Sequence, residues 1–209
     1  MNTVALALLA YLLGSIPFAV IVSRAFGLPD PRSYGSGNPG ATNVLRTGKR
    51  AAAALTLVGD AFKGWLAVFL AQRMADAGAA DIAVSAAAVA ATFGHMYPVF
   101  LRFRGGKGVS TATGVLAALD PWLAAGAVAT WLIIAFFFRY SSLAALVAAA
   151  FAPFFAFFLH GMGRFTLEGA VGVALIALLI AWRHRINIRN LLAGTEGKIG
   201  SGSSSSPQG

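Results

Sequence analysis

The chain has 209 residues, of which 58% are hydrophobic and 11% charged, with a mean hydropathy of +0.75 and a formal net charge of +9. A soluble domain of this length has no reason to be so apolar, and the absence of cysteine excludes disulfides, thiolate nucleophiles and cysteine metal sites. The positive charge does not point to nucleic acid, because in a chain of membrane-length apolar runs Lys and Arg first report topology.

Seven apolar stretches can be drawn, at about 3–23, 51–71, 82–101, 109–119, 122–138, 142–160 and 167–183. They predict an all-α, polytopic integral membrane protein of about seven transmembrane helices. The first stretch lacks a basic n-region and a cleavage site, so it reads as an uncleaved spanning helix rather than a signal peptide. The fourth is too short to cross ~30 Å of hydrocarbon as a straight helix. It is tilted, extended by its neighbours or re-entrant, and counts of five or six spans stay open. Residues 1–199 are expected to form a single integral membrane domain, and the Gly/Ser-rich tail at 200–209 is expected to be disordered.

Orientation follows from the loops. With seven spans, one side receives thirteen cations: Arg24, Arg32, Arg46, Lys49, Arg50, Arg102, Arg104, Lys107, Arg139, Arg183, Arg185, Arg189 and Lys198. The other side receives Arg73 and Arg164, with four acids. The excess of basic residues on the cytoplasmic side places the N-terminus outside and the C-terminus in the cytoplasm.

Two glycine-rich, basic segments lie on that predicted cytoplasmic side. The first runs from Tyr34 through Gly35, Ser36, Gly37, Asn38, Pro39, Gly40, Ala41, Thr42 and Asn43 to Arg46. The second is Arg102-Phe103-Arg104-Gly105-Gly106-Lys107-Gly108-Val109-Ser110-Thr111 and opens an apolar helix. Glycines that admit close backbone approach, hydroxyls and cations are the materials of a phosphate cradle, and a helix N-terminus favours an anion. The spacing is not that of a P-loop. Plainer readings stand beside this one: a turn-rich loop for the first segment, and lipid-headgroup anchoring for the cations of the second.

His95 and His184 are drawn toward the same face, whereas His160 is drawn toward the opposite one. No metal-ligand spacing occurs, so no metal is expected. Asp60 and Lys63 fall on one side of the second span, either as a structural pair or as a functional one. Glu196 is a lone acid among cations.

Taken together, these segments resemble the bacterial membrane acyl-phosphate:glycerol-3-phosphate acyltransferases, the PlsY family. The resemblance rests on Gly14-Ser15-Ile16-Pro17-Phe18, on Gly35 through Arg46, on Gly94-His95 and Arg104 through Gly108, and on His184 through Leu191 with Glu196-Gly197. It implies transfer of an acyl chain from acyl phosphate to the sn-1 hydroxyl of glycerol 3-phosphate, giving lysophosphatidate and phosphate, the first acylation of phospholipid synthesis. It implies no cofactor, a multi-pass protein of the bacterial inner membrane with its site facing the cytoplasm, lipid contact and a monomer. It carries catalytic roles onto Ser36, Arg46, Lys107, His184 and Asn187. Substrate-binding roles fall on Gly35, Gly37, Asn38, Thr42, Asn43, His95, Arg104, Gly105, Gly106, Gly108, Ser110 and Glu196. The H-x4-D motif of soluble-type glycerolipid acyltransferases is absent, since Phe100, Phe165 and Arg189 stand where its Asp would follow the three histidines. An anion transporter and a non-catalytic binder of anionic lipid are the alternatives. The first would want charges along a midplane path and repeated halves, which the chain does not display.

Overall fold

A computed structural model describes residues 1–200; the remainder of the tail expected to be disordered lies outside the described residues. Ten α-helices occur among the described residues. They are α1 (Thr3–Gly14), α2 (Phe18–Ala25), α3 (Ala41–Leu45), α4 (Arg50–Met74), α5 (Ala80–Met96), α6 (Val109–Leu119), α7 (Pro121–Phe138), α8 (Ser141–Gly161), α9 (Leu167–Arg183) and α10 (Arg185–Leu192).

Local sequence sets several of the starts. Asn2 and Thr166 accept hydrogen bonds from Ala5 N (2.9 Å) and Gly169 N (3.1 Å), capping α1 and α9. Asp120 caps α7 through Leu123 N at 2.8 Å, with Pro121 in the first helical position, where its missing N–H costs nothing.

Each of the seven expected stretches falls on helix. Five segments are long and apolar enough to cross a membrane: Thr3–Ala25, Arg50–Met74, Ala77–Leu101, Pro121–Phe138 and Ser141–Gly161. Helices α9 and α10, bent by 60° at His184, make a sixth if counted as one span. With 11 residues, α6 extends about 17 Å and lies within the bundle as a short helix. The first stretch is broken: Pro17 supplies no N–H, and α1 and α2 meet at Ser15–Pro17. The helix α10 and the single turn and a half of α3 went unforeseen.

Small residues carry the packing. A Cβ at Gly14 would strike the Ala91 backbone and one at Gly94 the Tyr11 backbone, so α1 and α5 touch chain to chain. Gly64 against Thr111 and Gly114 against Ala61 do the same for α4 and α6. Where lipid is as apolar as the side chains, such close approach is what holds helices together. The main core is accordingly rich in alanine, including Ala67, Ala87, Ala88 and Ala91 around Val68 and Met96. Large apolar side chains point outward instead, as at Val58, Phe136, Phe154 and Leu178.

The antiparallel helices gather the glycine-rich segments, the α7–α8 turn and the α9–α10 corner at one end of the bundle. Contacts across that end include Thr42 Oγ1 to Ser141 Oγ at 3.5 Å and Lys107 Nζ to Asn187 Oδ1 at 2.6 Å. At the other end the N-terminal ammonium meets Asp76 at 3.0 Å.

Candidate active site

The first glycine-rich segment is organised around Asn43, which is 2% exposed. Its Oδ1 accepts from Ser36 N at 3.1 Å, and its Nδ2 donates to Pro31 O at 2.7 Å and Tyr34 O at 3.2 Å. Every polar atom of the amide is thereby engaged within the loop. Gly35 and Gly37 adopt left-handed backbone, with φ of 57° and 64°. The Arg46 side chain lies over Gly35 and reaches toward Gly197. Ser36, Thr42 and Arg46 are exposed on this frame, and Asn38 is half-buried.

The second segment departs from the sequence expectation in one respect. The N–H groups of Gly105 and Gly106 donate inward, to Met96 O at 3.2 Å and His95 O at 3.1 Å. Their carbonyls accept from Arg183, Nη2 to Gly105 O at 2.9 Å and Nε to Gly106 O at 3.1 Å. These two glycines therefore serve close packing rather than offering donors to a substrate. A Cβ at Gly106 would run into the His95 imidazole, and one at Gly105 into the His95 carbonyl and Pro98. The donors left for an anion are those of the first turn of α6, beyond Gly108, where no preceding carbonyl is in register. Gly108 opens that turn with φ of 85°. Arg102 and Phe103 are also left-handed, with φ of 51° and 63°, a conformation other residue types rarely adopt.

A polar chain links this segment to the C-terminal one. Lys107 Nζ donates to Asn187 Oδ1 at 2.6 Å; Asn187 Nδ2 donates to Glu196 Oε1 at 2.8 Å; Ser142 Oγ donates to the same oxygen at 2.5 Å. Burial holds the Lys107 ammonium below the ordinary lysine range; Arg183 and Arg46 push the same way, while Glu196 opposes them. Three cations and one carboxylate thus share one electrostatic neighbourhood, a net positive field suited to a phosphate dianion. His184, 2% exposed at the α9–α10 corner, places Nδ1 2.8 Å from Ile180 O, which fixes Nδ1 as the protonated nitrogen and leaves Nε2 as an acceptor.

The sequence-derived set is therefore gathered at one end of the bundle, though not every member faces outward. Ser36, Arg46, Lys107, His184, Asn187 and Glu196 belong to this assembly. Arg104 is exposed at the rim, and Ser110 lies in the first turn of α6. His95, expected among the substrate-binding side chains, is 7% exposed and lies beneath Gly106. His160 is occupied elsewhere, at 2.9 Å from Phe165 O. Sequence reasoning passed over two contributors. Arg183 counted only as a topological cation, yet it pins the glycine loop and stacks on Tyr97 at 5.1 Å. Ser142 lay inside an apolar run with no signal beyond its hydroxyl.

The family model described as glycerol-3-phosphate acyltransferase matches residues 4–194. The chain is 63% identical over 198 residues to a glycerol-3-phosphate acyltransferase of Bordetella petrii, covering 94% of this chain and 92% of that one. It is 61% identical over 194 residues to that of Burkholderia multivorans, covering 93% and 89%. Its fold is similar to the crystal structure of PlsY, an integral membrane glycerol 3-phosphate acyltransferase, in the glycerol 3-phosphate form. There the TM-score is 0.84 and the identity 37%, with 95% of this chain and 96% of that one covered. The lysophosphatidic acid form gives a TM-score of 0.83 at 36% identity, with 94% of each chain covered. The chain belongs to the glycerol-3-phosphate acyltransferase family.

Proposed function

We propose that this protein transfers an acyl group from acyl phosphate to the sn-1 hydroxyl of glycerol 3-phosphate at the cytoplasmic face of a bacterial inner membrane. The observation that carries the reading is the convergence of Arg46, Lys107 and Arg183 with the Asn187–Glu196 pair at one end of a lipid-facing bundle. Both substrates bear a phosphate, and one bears an alkyl chain, so a cationic site at a membrane surface suits them jointly. Family membership supports the acceptor, since the solved relative was captured with glycerol 3-phosphate and with lysophosphatidic acid.

The step is a direct attack. The sn-1 oxygen bonds to the acyl carbonyl carbon, the bond from that carbon to the phosphate oxygen breaks, and inorganic phosphate leaves. Lys107, Arg46 and the first-turn N–H groups of α6 neutralise the two phosphates and bring the hydroxyl against the carbonyl. Such proximity lowers barriers by roughly 7–11 kcal/mol. Ser36, exposed on the Asn43-organised loop, is placed to hydrogen-bond a phosphate oxygen. A substrate phosphate oxygen takes the hydroxyl proton, with His184 Nε2 as the side-chain alternative.

The test uses purified protein in detergent, where no compartment exists for transport. Phosphate release that depends on glycerol 3-phosphate, with lysophosphatidate formed from acyl phosphate and not from acyl-CoA, is the expected result. Release without lysophosphatidate, or acyl-CoA serving equally, refutes the assignment.

A further inference from the structure

Asp60 and Lys63 on α4 and His95 near the end of α5 form a charged cluster that the acyl-transfer step does not use. They are 1%, 3% and 7% exposed. Lys63 Nζ stands 2.8 Å from Asp60 Oδ1, and His95 Nδ1 stands 3.4 Å from the same oxygen. The ammonium also donates at 2.6 Å to Ile16 O, in the break between α1 and α2, and lies 5.9 Å from the centroid of the Phe18 ring. Asp60 sits about 15 Å along α4 from Arg50 at ~1.5 Å per residue, well inside the span. Ionisable groups at such depth are costly unless paired, and in membrane proteins they mark function more often than stability.

His95 joins the cluster to the substrate loop. One ring nitrogen faces Asp60, while the Nε2 edge is packed against Gly106. The His95 carbonyl accepts from Gly106 N, and its neighbour Met96 accepts from Gly105 N. A small pocket is bordered by Asp60, Lys63, His95, Gly105 and Gly106, and by Pro39 of the first loop. Ile16, α4, α5 and both glycine-rich segments therefore meet around one buried carboxylate.

We propose that Asp60, Lys63 and His95 act together as positioning residues for the glycine loop. Asp60, held by Lys63, orients the His95 ring; the ring and the carbonyls of His95 and Met96 then fix Gly105 and Gly106, and with them the position of Lys107 over the phosphate of glycerol 3-phosphate. His95 acts through the loop and does not touch substrate. The inference rests on the acyltransferase reading, and it makes a distinction that a substrate-binding or purely structural histidine does not.

The distinction lies in which ring nitrogen matters. Asn at position 95 places an amide donor where Nδ1 meets Asp60, whereas Gln places its amide near the Nε2 edge. Purified wild-type, His95→Asn and His95→Gln proteins are compared for KM of glycerol 3-phosphate, KM of acyl phosphate, kcat and Tm. The expected result is a KM for glycerol 3-phosphate raised about ten- to hundredfold in His95→Gln, the scale of a misplacement of about 1 Å, and largely restored in His95→Asn. The KM for acyl phosphate stays within about twofold of wild type in both, as a loop displacement that spares the donor requires. A Tm that falls with both KM values unchanged overturns the proposal in favour of a structural histidine. Better function in His95→Gln than in His95→Asn overturns it in favour of direct substrate contact, and equal impairment of the two overturns it as well. The double variant Asp60→Leu/Lys63→Met leaves no isolated buried charge and serves if a histidine variant does not fold: a raised KM for glycerol 3-phosphate is expected, and an unchanged one overturns the proposal. A wild-type protein that does not turn over acyl phosphate fails the functional reading instead, before any variant is compared.

Discussion

Asn187 is the point at which the charge of Lys107 is tied to the C-terminal segment, and exchanging its chemistry with that of Glu196 probes the site directly. In Asn187→Ala, Lys107 loses an acceptor at 2.6 Å and Glu196 a donor at 2.8 Å. A hydrogen bond to a charged group contributes about 1.5–3 kcal/mol. At 1.36 kcal/mol per decade, the loss of the Lys107 bond alone lowers kcat/KM for glycerol 3-phosphate about 10- to 150-fold. In Asn187→Asp, the acceptor for Lys107 survives, but the donor to Glu196 is replaced by a second carboxylate, so that variant is also impaired. Adding Glu196→Gln restores a donor facing an acceptor, with one negative charge still on the pair. The double variant Asn187→Asp/Glu196→Gln therefore recovers most of the activity lost in Asn187→Asp, a strongly non-additive cycle. The assay is continuous phosphate release in detergent with glycerol 3-phosphate titrated at saturating acyl phosphate. Additive losses in the cycle, or unimpaired Asn187→Ala, would refute the role assigned to this chain of contacts.

Burial holds the Lys107 ammonium below its usual range, so its charge is lost as pH rises through that lowered value. The KM for glycerol 3-phosphate should therefore climb on the alkaline side earlier than an ordinary lysine would allow, and Lys107→Arg, which stays charged, should move that limb to higher pH. Coincident limbs in KM-versus-pH curves would disprove it. His184→Gln keeps a polar side chain but cannot take a proton. It should lower kcat less than about tenfold, whereas a loss of the ~10²–10⁴-fold that general bases contribute would show His184 to be the proton acceptor. Gly106→Ala drives a methyl into the His95 ring and should cost about 1–3 kcal/mol, with a lower Tm that His95→Asn partly restores; additive Tm losses would show the contact to be misassigned. Since the chain has no cysteine, single Cys substitutions at the exposed positions Ser33 and Ala77 report sidedness cleanly. Labelling of position 33 from the cytoplasm and of position 77 from outside is expected, and the reverse pattern would invert the topology.

Hydropathy is a property of contiguous residues, which is why seven apolar stretches could be drawn from the chain and each became helix. Charge bias is summed over loops, so it too is legible without coordinates, and three of the cations it counted on one side, Arg46, Lys107 and Arg183, share one neighbourhood in the bundle. The short reach of residues 109–119 was visible for the same reason. The glycines at 35, 37, 105, 106 and 108 advertised tight backbone, but not which way the N–H groups of Gly105 and Gly106 point. That was decided by partners distant in sequence: Arg183, 78 residues from Gly105, and the carbonyls of His95 and Met96. The same holds for Lys63, whose role follows from the Ile16 carbonyl 47 residues away, and for Ser142, whose partner Glu196 lies 54 residues on. Spacing on one helix revealed Asp60 beside Lys63, but neither His95 nor the break at Pro17. Composition and periodicity act along the chain, and they place helices and ends. A hydrogen bond between helices depends on the packing that brings its two atoms within 3 Å, and that packing exists only once the bundle has closed.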